Sequence, residues 1–407
     1  MLYLIYESIF SRIFAQKYGV NRKEPTMEEN RKKIKILHCS DIHLDAPFIG
    51  MTGEKADERR RELRNTFSRM MEFVRERKID YVLIAGDLFE TKYATNTTAE
   101  ILIREFRNCM DTKFIIAPGK NDCYDNNPLY LSGRLPDNCY IFSSDTLSRF
   151  DFDEDKITIY GWAFRGEELT ASPIFDKHVD DSSKINIVCG YADLDGDVSS
   201  TNCPISSQEM NRFGADYYAF GSHHQKTDFA KKGGSMYSYC GSLECTGFEN
   251  PYIGGVKFLN IDYADGELSM DGKHITFGRL QFVTETIDVT GVGANNEITN
   301  RISQLISQKK YGQETALRIE LVGDIDPRFI VPKHLECDAF GLYFFDMVDK
   351  TMPLYGTEHF KRDMSVAGEI FRRMYPMLTS ERESDRLTAA RAFRVGLAAL
   401  ENREIDL

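Results

Sequence analysis

His38-Cys39-Ser40-Asp41-Ile42-His43-Leu44-Asp45-Ala46-Pro47-Phe48 decides the reading of this chain. The apolar run Ile34–His38 leads into it, and the polar cluster Asp41-Ile42-His43 closes it. Four further short apolar runs end in the same manner. Tyr81–Ala85 is followed by Gly86-Asp87, and Lys113–Ala117 by Gly119-Lys120-Asn121-Asp122. Ile185–Cys189 is followed by Gly190, and Tyr217–Phe220 by Gly221-Ser222-His223-His224. Short apolar runs bounded by turn residues read as buried strands. In open sheets of mainly parallel strands, ligands bind where the carboxyl ends of strands open into a crevice. Asp and His at several such ends therefore predict one shared site.

The segments between these runs support parallel pairing. Asp57–Lys78 carries Leu63, Phe67, Met70, Met71 and Val74 as a helical stripe, and Thr97 with Glu100 reads as a capping box opening a second helix. Helices linking strands make βαβ units. From Ile157 the pattern shortens, and Tyr237–Tyr239, Gly255–Ile261 and His274–Phe277 read as antiparallel strands. A second block from Arg279 has strands at Glu285–Val289, Leu317–Leu321 and Gly341–Asp346 with a helix over Asn296–Gln308. The chain is helical from Ser365. The division expected is 1–30 as an extension outside the fold, 31–278 as the main α/β domain, 279–350 as a small α/β domain and 351–407 as a helical region.

Composition narrows the function. A length of 407 residues exceeds one ordinary core. The net charge of −12 argues against non-specific coating of nucleic acid, which needs clustered Lys and Arg. Nine cysteines without a Cys-x-x-Cys pair resemble neither a disulfide framework nor a structural zinc site. Reduced core thiols and the lack of an apolar run of about twenty residues point to the cytoplasm, away from membrane.

Asp-x-His, Gly-Asp, a Gly-Asn-His-Asp position, a His-Gly position and a Gly-His-x-His position, in that order, resemble the calcineurin-like metallophosphoesterase signature. HCSDIHLDAPF, IAGDLF and IAPG are similar to the SbcD-like DNA repair exonuclease branch, over about residues 33–260. The resemblance implies an α/β sandwich of two mixed sheets flanked by helices, with a capping domain and C-terminal helices. It implies a first divalent ion, manganese with iron or zinc as alternatives, held by Asp41, His43, Asp87 and His224. The second ion's private ligands and the leaving-group acid are replaced: Lys120, Cys189 and Ser222 stand at the ligand positions and Asn121 at the acid. Lys120 is expected to occupy the second ion's place and compensate Asp87. Such a charge pair about 4 Å apart at an effective dielectric of about 20 contributes about 4 kcal/mol before desolvation. The expected function is a DNA-end-binding or ATPase-partner scaffold with weak or no nuclease activity; the partners the resemblance implies are a coiled-coil DNA-repair ATPase, DNA ends and a second copy of the chain. The alternative is an active phosphodiesterase using one ion plus Lys120. Asp122 and Asp125 read as solvated loop carboxylates, His38 as a satisfied core histidine, and Arg59–Arg64 as a solvated helix face.

Overall fold

A computed structural model describes residues 31–400 other than 49–50, 52, 198, 233, 249–252, 265, 327–328, 330, 332–339 and 355–360. The expected extension, 1–30, lies outside the described residues. Two compact units emerge. The first holds Phe67–Gly241, Val256–Ile275 and the described residues up to Ala46; the second holds Pro47–Thr66, Ser242–Gly255 and the described residues from Thr276 onward.

In chain order the first unit carries β1 (Lys32–Cys39), β2 (Tyr81–Ala85), β3 (Lys113–Ala117), β4 (Cys139–Ile141), β5 (Ser148–Phe152) and β6 (Ile157–Gly161). There follow β7 (Ile185–Tyr191), β8 (Tyr217–Gly221), β9 (Ala230–Lys232), β10 (Ser235–Tyr239), β11 (Gly255–Ala264) and β12 (Glu267–Thr276). They form two six-stranded sheets, β12-β11-β1-β2-β3-β4 and β9-β10-β8-β7-β6-β5. β1 to β4 are mutually parallel, and β11 runs antiparallel to β1. β6, β7, β8 and β10 are parallel, with β5 and β9 antiparallel at the edges. This is the sandwich of two mixed sheets flanked by helices that the sequence implied. Tyr237–Tyr239, expected in an antiparallel strand, lies in β10, which pairs antiparallel with β9 on one edge and parallel with β8 on the other.

The core lies between the sheets. Ile36, Leu83 and Ile115 from one meet Ile159, Ile187 and Ala219 from the other, all fully buried. Helix Asn96–Arg107 is capped by Thr95, whose side chain accepts from Thr98 N, rather than by the expected Thr97 box. Thr95 is drawn upstream because Asp45 accepts its backbone N–H at 2.9 Å and its hydroxyl at 3.1 Å.

The sheets converge at the carboxyl ends of β2 and β8. A Cβ added at Gly221 would lie 1.8 Å from Ala85 O and 2.8 Å from Ser40 Cβ. Gly221→Ala is therefore expected to lower the denaturation midpoint, costing about 1–3 kcal/mol as overpacking does. A midpoint unchanged from wild type in urea melts would contradict that close approach.

In the second unit Gln281–Asp288, Thr315–Val322 and Phe344–Asp349 form a parallel three-stranded sheet, with helix Asn295–Lys309 between its first two strands in sequence. The helices Val366–Leu378 and Glu383–Leu400 share a small core of Phe371, Leu378, Phe393 and Leu397. The regions expected separately at 279–350 and 351–407 fall in this one unit. Arg394 links them, bonding Asp349 Oδ2 at 2.7 Å and Thr351 O at 2.9 Å. Among the described residues no helix is long and apolar enough to cross a membrane.

Candidate metal centre

The loop after β1 is laid onto the loop after β2 by backbone bonds: Asp41 N to Gly86 O at 3.0 Å, His43 N to Asp87 O at 2.9 Å and Leu44 N to Leu88 O at 3.1 Å. Asp41, His43 and Asp45 have φ of 48°, 51° and 66°, and Asp87 has 51°. Left-handed backbone at non-glycine residues is uncommon and costs stability, and it clusters at functional sites. Here it turns Asp41 and His43 inward on one side.

The ligand atoms of Asp41, His43 and His224 all lie within 4.8 Å of one another. His43 Nε2 is 3.2 Å from His224 Nε2, 3.9 Å from Asp87 Oδ2, and His224 Nε2 is 3.8 Å from Asp41 Oδ1. Asp41 and Asp87 are fully buried and His43 nearly so. Asp41 Oδ2 accepts from the Ser40 hydroxyl and from Ser222 N at 3.3 Å. Its other oxygen, Oδ1, is buried and, among the described residues, without a hydrogen-bond partner. A buried carboxylate oxygen left bare is costly, and two imidazole nitrogens facing each other at 3.2 Å need a proton or a cation between them. An O,N donor set of this kind suits a divalent transition metal. The residues fit one ion.

Electrostatics carry the same message. Burial pushes Asp41 up, and burial with Asp41 nearby pushes Asp87 up to about 6. Burial opposes charge on His43, but Glu90, Asp87 and Asp41 outweigh it and raise it to about 9. Burial and His43 hold His224 down at about 4. The pocket thus gathers poorly solvated carboxylates around two imidazoles, where a cation would satisfy all of them.

Glu90 was not singled out by motif. Its Oε1 accepts from His43 Nδ1 at 2.8 Å, which leaves Nε2 as the nitrogen that faces the cluster and would give up its proton to a bound ion. Such outer carboxylates typically contribute 10- to 100-fold to metal affinity. Glu90→Gln is expected to weaken Mn2+ binding by about that factor in calorimetric titration; unchanged affinity would leave Glu90 without an orienting role.

At the second-ion positions Lys120 departs from expectation, whereas Cys189 and Ser222 are the core and loop residues that their strand-end context implied. Asn121, not Lys120, faces Asp87: its N–H donates to Oδ1 at 2.8 Å and its side-chain Nδ2 to Oδ2 at 3.1 Å. Neighbouring side chains in an extended turn point to opposite sides, so Lys120 points away. Its ammonium reaches Asn202 Oδ1 at 3.5 Å and, among the described residues, forms no ion pair with Asp87. Cys189 lies in the core between the sheets, its thiol pushed up by burial. Tyr191 is the side chain at that strand end which lies beside Asp87: burial and the Asp87 and Asp41 carboxylates push its phenol up. Ser222 does not reach the cluster by its hydroxyl, which donates to Ala192 O at 2.9 Å and Asp193 Oδ1 at 2.7 Å.

Two surrounding assignments also change. Asp122 is fully buried, not solvated. It accepts from Asp87 N and Leu88 N at 3.0 Å, Gly119 N at 2.7 Å and the Tyr130 hydroxyl at 2.7 Å, and burial beside Asp87 pushes it up to about 7. It ties the loops after β2 and β3 together. Arg59 is buried rather than solvated, paired with Glu244 at 3.3 Å. Asp125 does remain at the surface, paired with Arg165 at 3.0 Å. His38 is a core residue whose ring nitrogens meet the Tyr217 hydroxyl at 2.8 Å and Phe220 O at 3.2 Å.

Residues 34–226 match the calcineurin-like phosphoesterase family. An uncharacterized metallophosphoesterase of Bacillus subtilis (strain 168), YhaO, is 24% identical over 206 residues, covering 47% of this chain and 48% of that protein. The chain thus aligns with about half the length of this curated relative. Vacuolar protein sorting 29 from Cryptosporidium parvum is 16% identical over 60% of this chain and 99% of its own, with a TM-score of 0.25. A Vps29 double mutant from Entamoeba histolytica is 12% identical over 60% and 100%, with a TM-score of 0.26.

Proposed function

We propose, from the match of residues 34–226 to the calcineurin-like phosphoesterase family, that this chain is an SbcD-like, DNA-end-binding subunit which holds one divalent ion and hydrolyses phosphodiesters slowly or not at all. The observation that carries the reading is the bare, buried Oδ1 of Asp41 facing the paired imidazoles of His43 and His224. Asp87 completes that set at 3.9 Å from His43. A divalent ion held there supplies Lewis-acid polarisation of a phosphoryl oxygen. Around it, Glu90 fixes the tautomer of His43, and Asn121 occupies both oxygens of Asp87. Asn121 cannot protonate a leaving group, and loss of a general acid typically costs 10²–10⁴-fold in rate. DNA ends as ligand, a coiled-coil ATPase as partner and manganese as the ion rest on the motif resemblance.

A second reading, an active metal-dependent phosphodiesterase, draws on Asn121. Half a turn of its carboxamide would present an oxygen beside Asp87, and the hydroxyl of Tyr191 is on hand there. Lys120, turned to Asn202, does not contribute to that reading.

Metal counting after Mn2+ loading, run beside a nuclease assay, separates the two. One ion per chain is expected, with cleavage at least about 100-fold below a Lys120→Asn, Asn121→His, Tyr191→His, Ser222→His variant. Two tightly held ions, or wild-type cleavage equal to that variant's, would overturn the first reading. Retention of a large ATPase by the tagged chain tests the partner.

A further inference from the structure

Beside the metal cluster one ring is held in a manner the reading above leaves unused. His223 stacks flat on Tyr239, with ring centroids 4.1 Å apart and planes inclined by 10°. Tyr239 is a fixed floor: it is 3% exposed, its hydroxyl accepts from Leu194 N and donates to Ala192 O, both at 2.9 Å. Asp193 Oδ1 lies 3.6 Å from His223 Nε2, and Asp193 is itself bonded by Ser200 at 2.5 Å and Ser222 at 2.7 Å. One face and one edge of the imidazole are therefore fixed, while its side chain remains 47% exposed. Holding an exposed ring in one orientation costs side-chain entropy, and the open face is positioned for a flat ligand.

A second exposed ring stands on another loop that serves the cluster. Tyr93 is 52% exposed, and its N–H donates at 2.9 Å to the carbonyl of Glu90, whose carboxylate holds His43. Lys120 adds a cation on the Asp193 side: its amine meets Asn202, whose N–H donates at 3.2 Å to Ser200 Oγ, the hydroxyl bonded to Asp193.

We propose that His223 is a stacking platform for an unpaired nucleobase, so that the site takes single-stranded or splayed nucleic-acid ends rather than intact duplex. This deepens the function proposed above and rests on it. In a duplex both faces of a base are covered by its neighbours; an unpaired end offers a free face. Base–aromatic stacking is tolerant of sequence and contributes roughly 5- to 150-fold in affinity per base.

The test uses the full chain loaded with Mn2+. Anisotropy titrations compare a single-stranded oligonucleotide with the same strand carrying abasic residues at its terminal three positions. Wild type is expected to prefer the base-bearing strand by about 10-fold or more. His223→Ala should erase the preference, and His223→Phe, which keeps a flat ring without the Asp193 contact, should retain most of it. Equal affinity of wild type for both strands, or His223→Phe as weak as His223→Ala, overturns the platform. Metal content is read on the same samples. Wild type that keeps its ion but binds neither strand overturns the platform and the DNA reading together; wild type that binds both strands alike overturns the platform alone.

Discussion

Asp41→Asn is expected to do two opposite things: raise the melting temperature of the metal-free protein and abolish the rise that Mn2+ gives wild type. Asparagine is nearly isosteric and tolerates the left-handed backbone that residue 41 adopts at φ 48°. Its oxygen can still accept from Ser40 and Ser222 N, as Asp41 Oδ2 does. Its amide can donate toward His224 Nε2, which lies 3.8 Å from the oxygen it replaces. Burial raises Asp41 above the usual carboxylate range. A carboxyl raised in the folded state contributes stability at pH below its unfolded value and loses it as pH rises through the folded one, so at neutral pH the ionised form costs stability. Removing the charge relieves that cost.

With metal the sign reverses. A ligand present at about 100 times its Kd stabilises the folded state by about 2.7 kcal/mol. Asp41→Asn removes an anionic ligand and should weaken Mn2+ at least 100-fold, taking nearly all of that increment away. Thermal melts with and without Mn2+, together with calorimetric titration, read both effects. A variant that binds Mn2+ as wild type does would remove Asp41 from the ligand set. A metal-free variant that melts lower would mean that its carboxylate is compensated without an ion.

The largest stability effect is expected at Arg59. Its side chain is 1% exposed and bonds Glu244 Oε2 at 3.3 Å and Cys245 O at 3.1 Å, with the guanidinium 5.3 Å from the centre of the Phe48 ring. Thr66 donates to the other oxygen of Glu244. Arg59→Met takes the guanidinium away from the buried Glu244 carboxylate, and breaking a buried pair from one side costs about 3–5 kcal/mol. Arg59→Met with Glu244→Leu removes both charges and should recover most of the loss, because a buried pair replaced by packed apolar groups is often neutral. Denaturant melts followed by hydrogen exchange in 242–255 would show it. A single variant within about 1 kcal/mol of wild type, or a double variant no better than the single, would refute this account.

Much of the fold was legible in the chain itself. β2, β3 and β8 are five-residue runs buried at nearly every position, and such runs cannot be mistaken for amphipathic helices when turn residues bound them. That Asp and His gather just past several strand ends followed from that; the particular set Asp41, His43, Asp87 and His224 came from the motif resemblance. Ser235–Tyr239 shows the limit. Its apolar content marks a strand, but parallel or antiparallel pairing depends on which distant neighbour it meets.

Strand ends and the residue types gathered there belong to local pattern, because burial and turn chemistry act over a few positions. Which of two nearby side chains faces the pocket was decided only in three dimensions: Asn121 rather than its neighbour Lys120, Tyr191 rather than Cys189 two positions before it, and His223 on Tyr239 beside a His224 that meets His43. Those choices are made by hydrogen bonds that span the sequence, such as Asp122 to Asp87 N and Asp41 to Ser222 N. The burial of Arg59 beside Glu244, 185 residues away, has the same origin. A charge pattern along one helix reports its neighbours on that helix, not the carboxylate that folding brings to meet it.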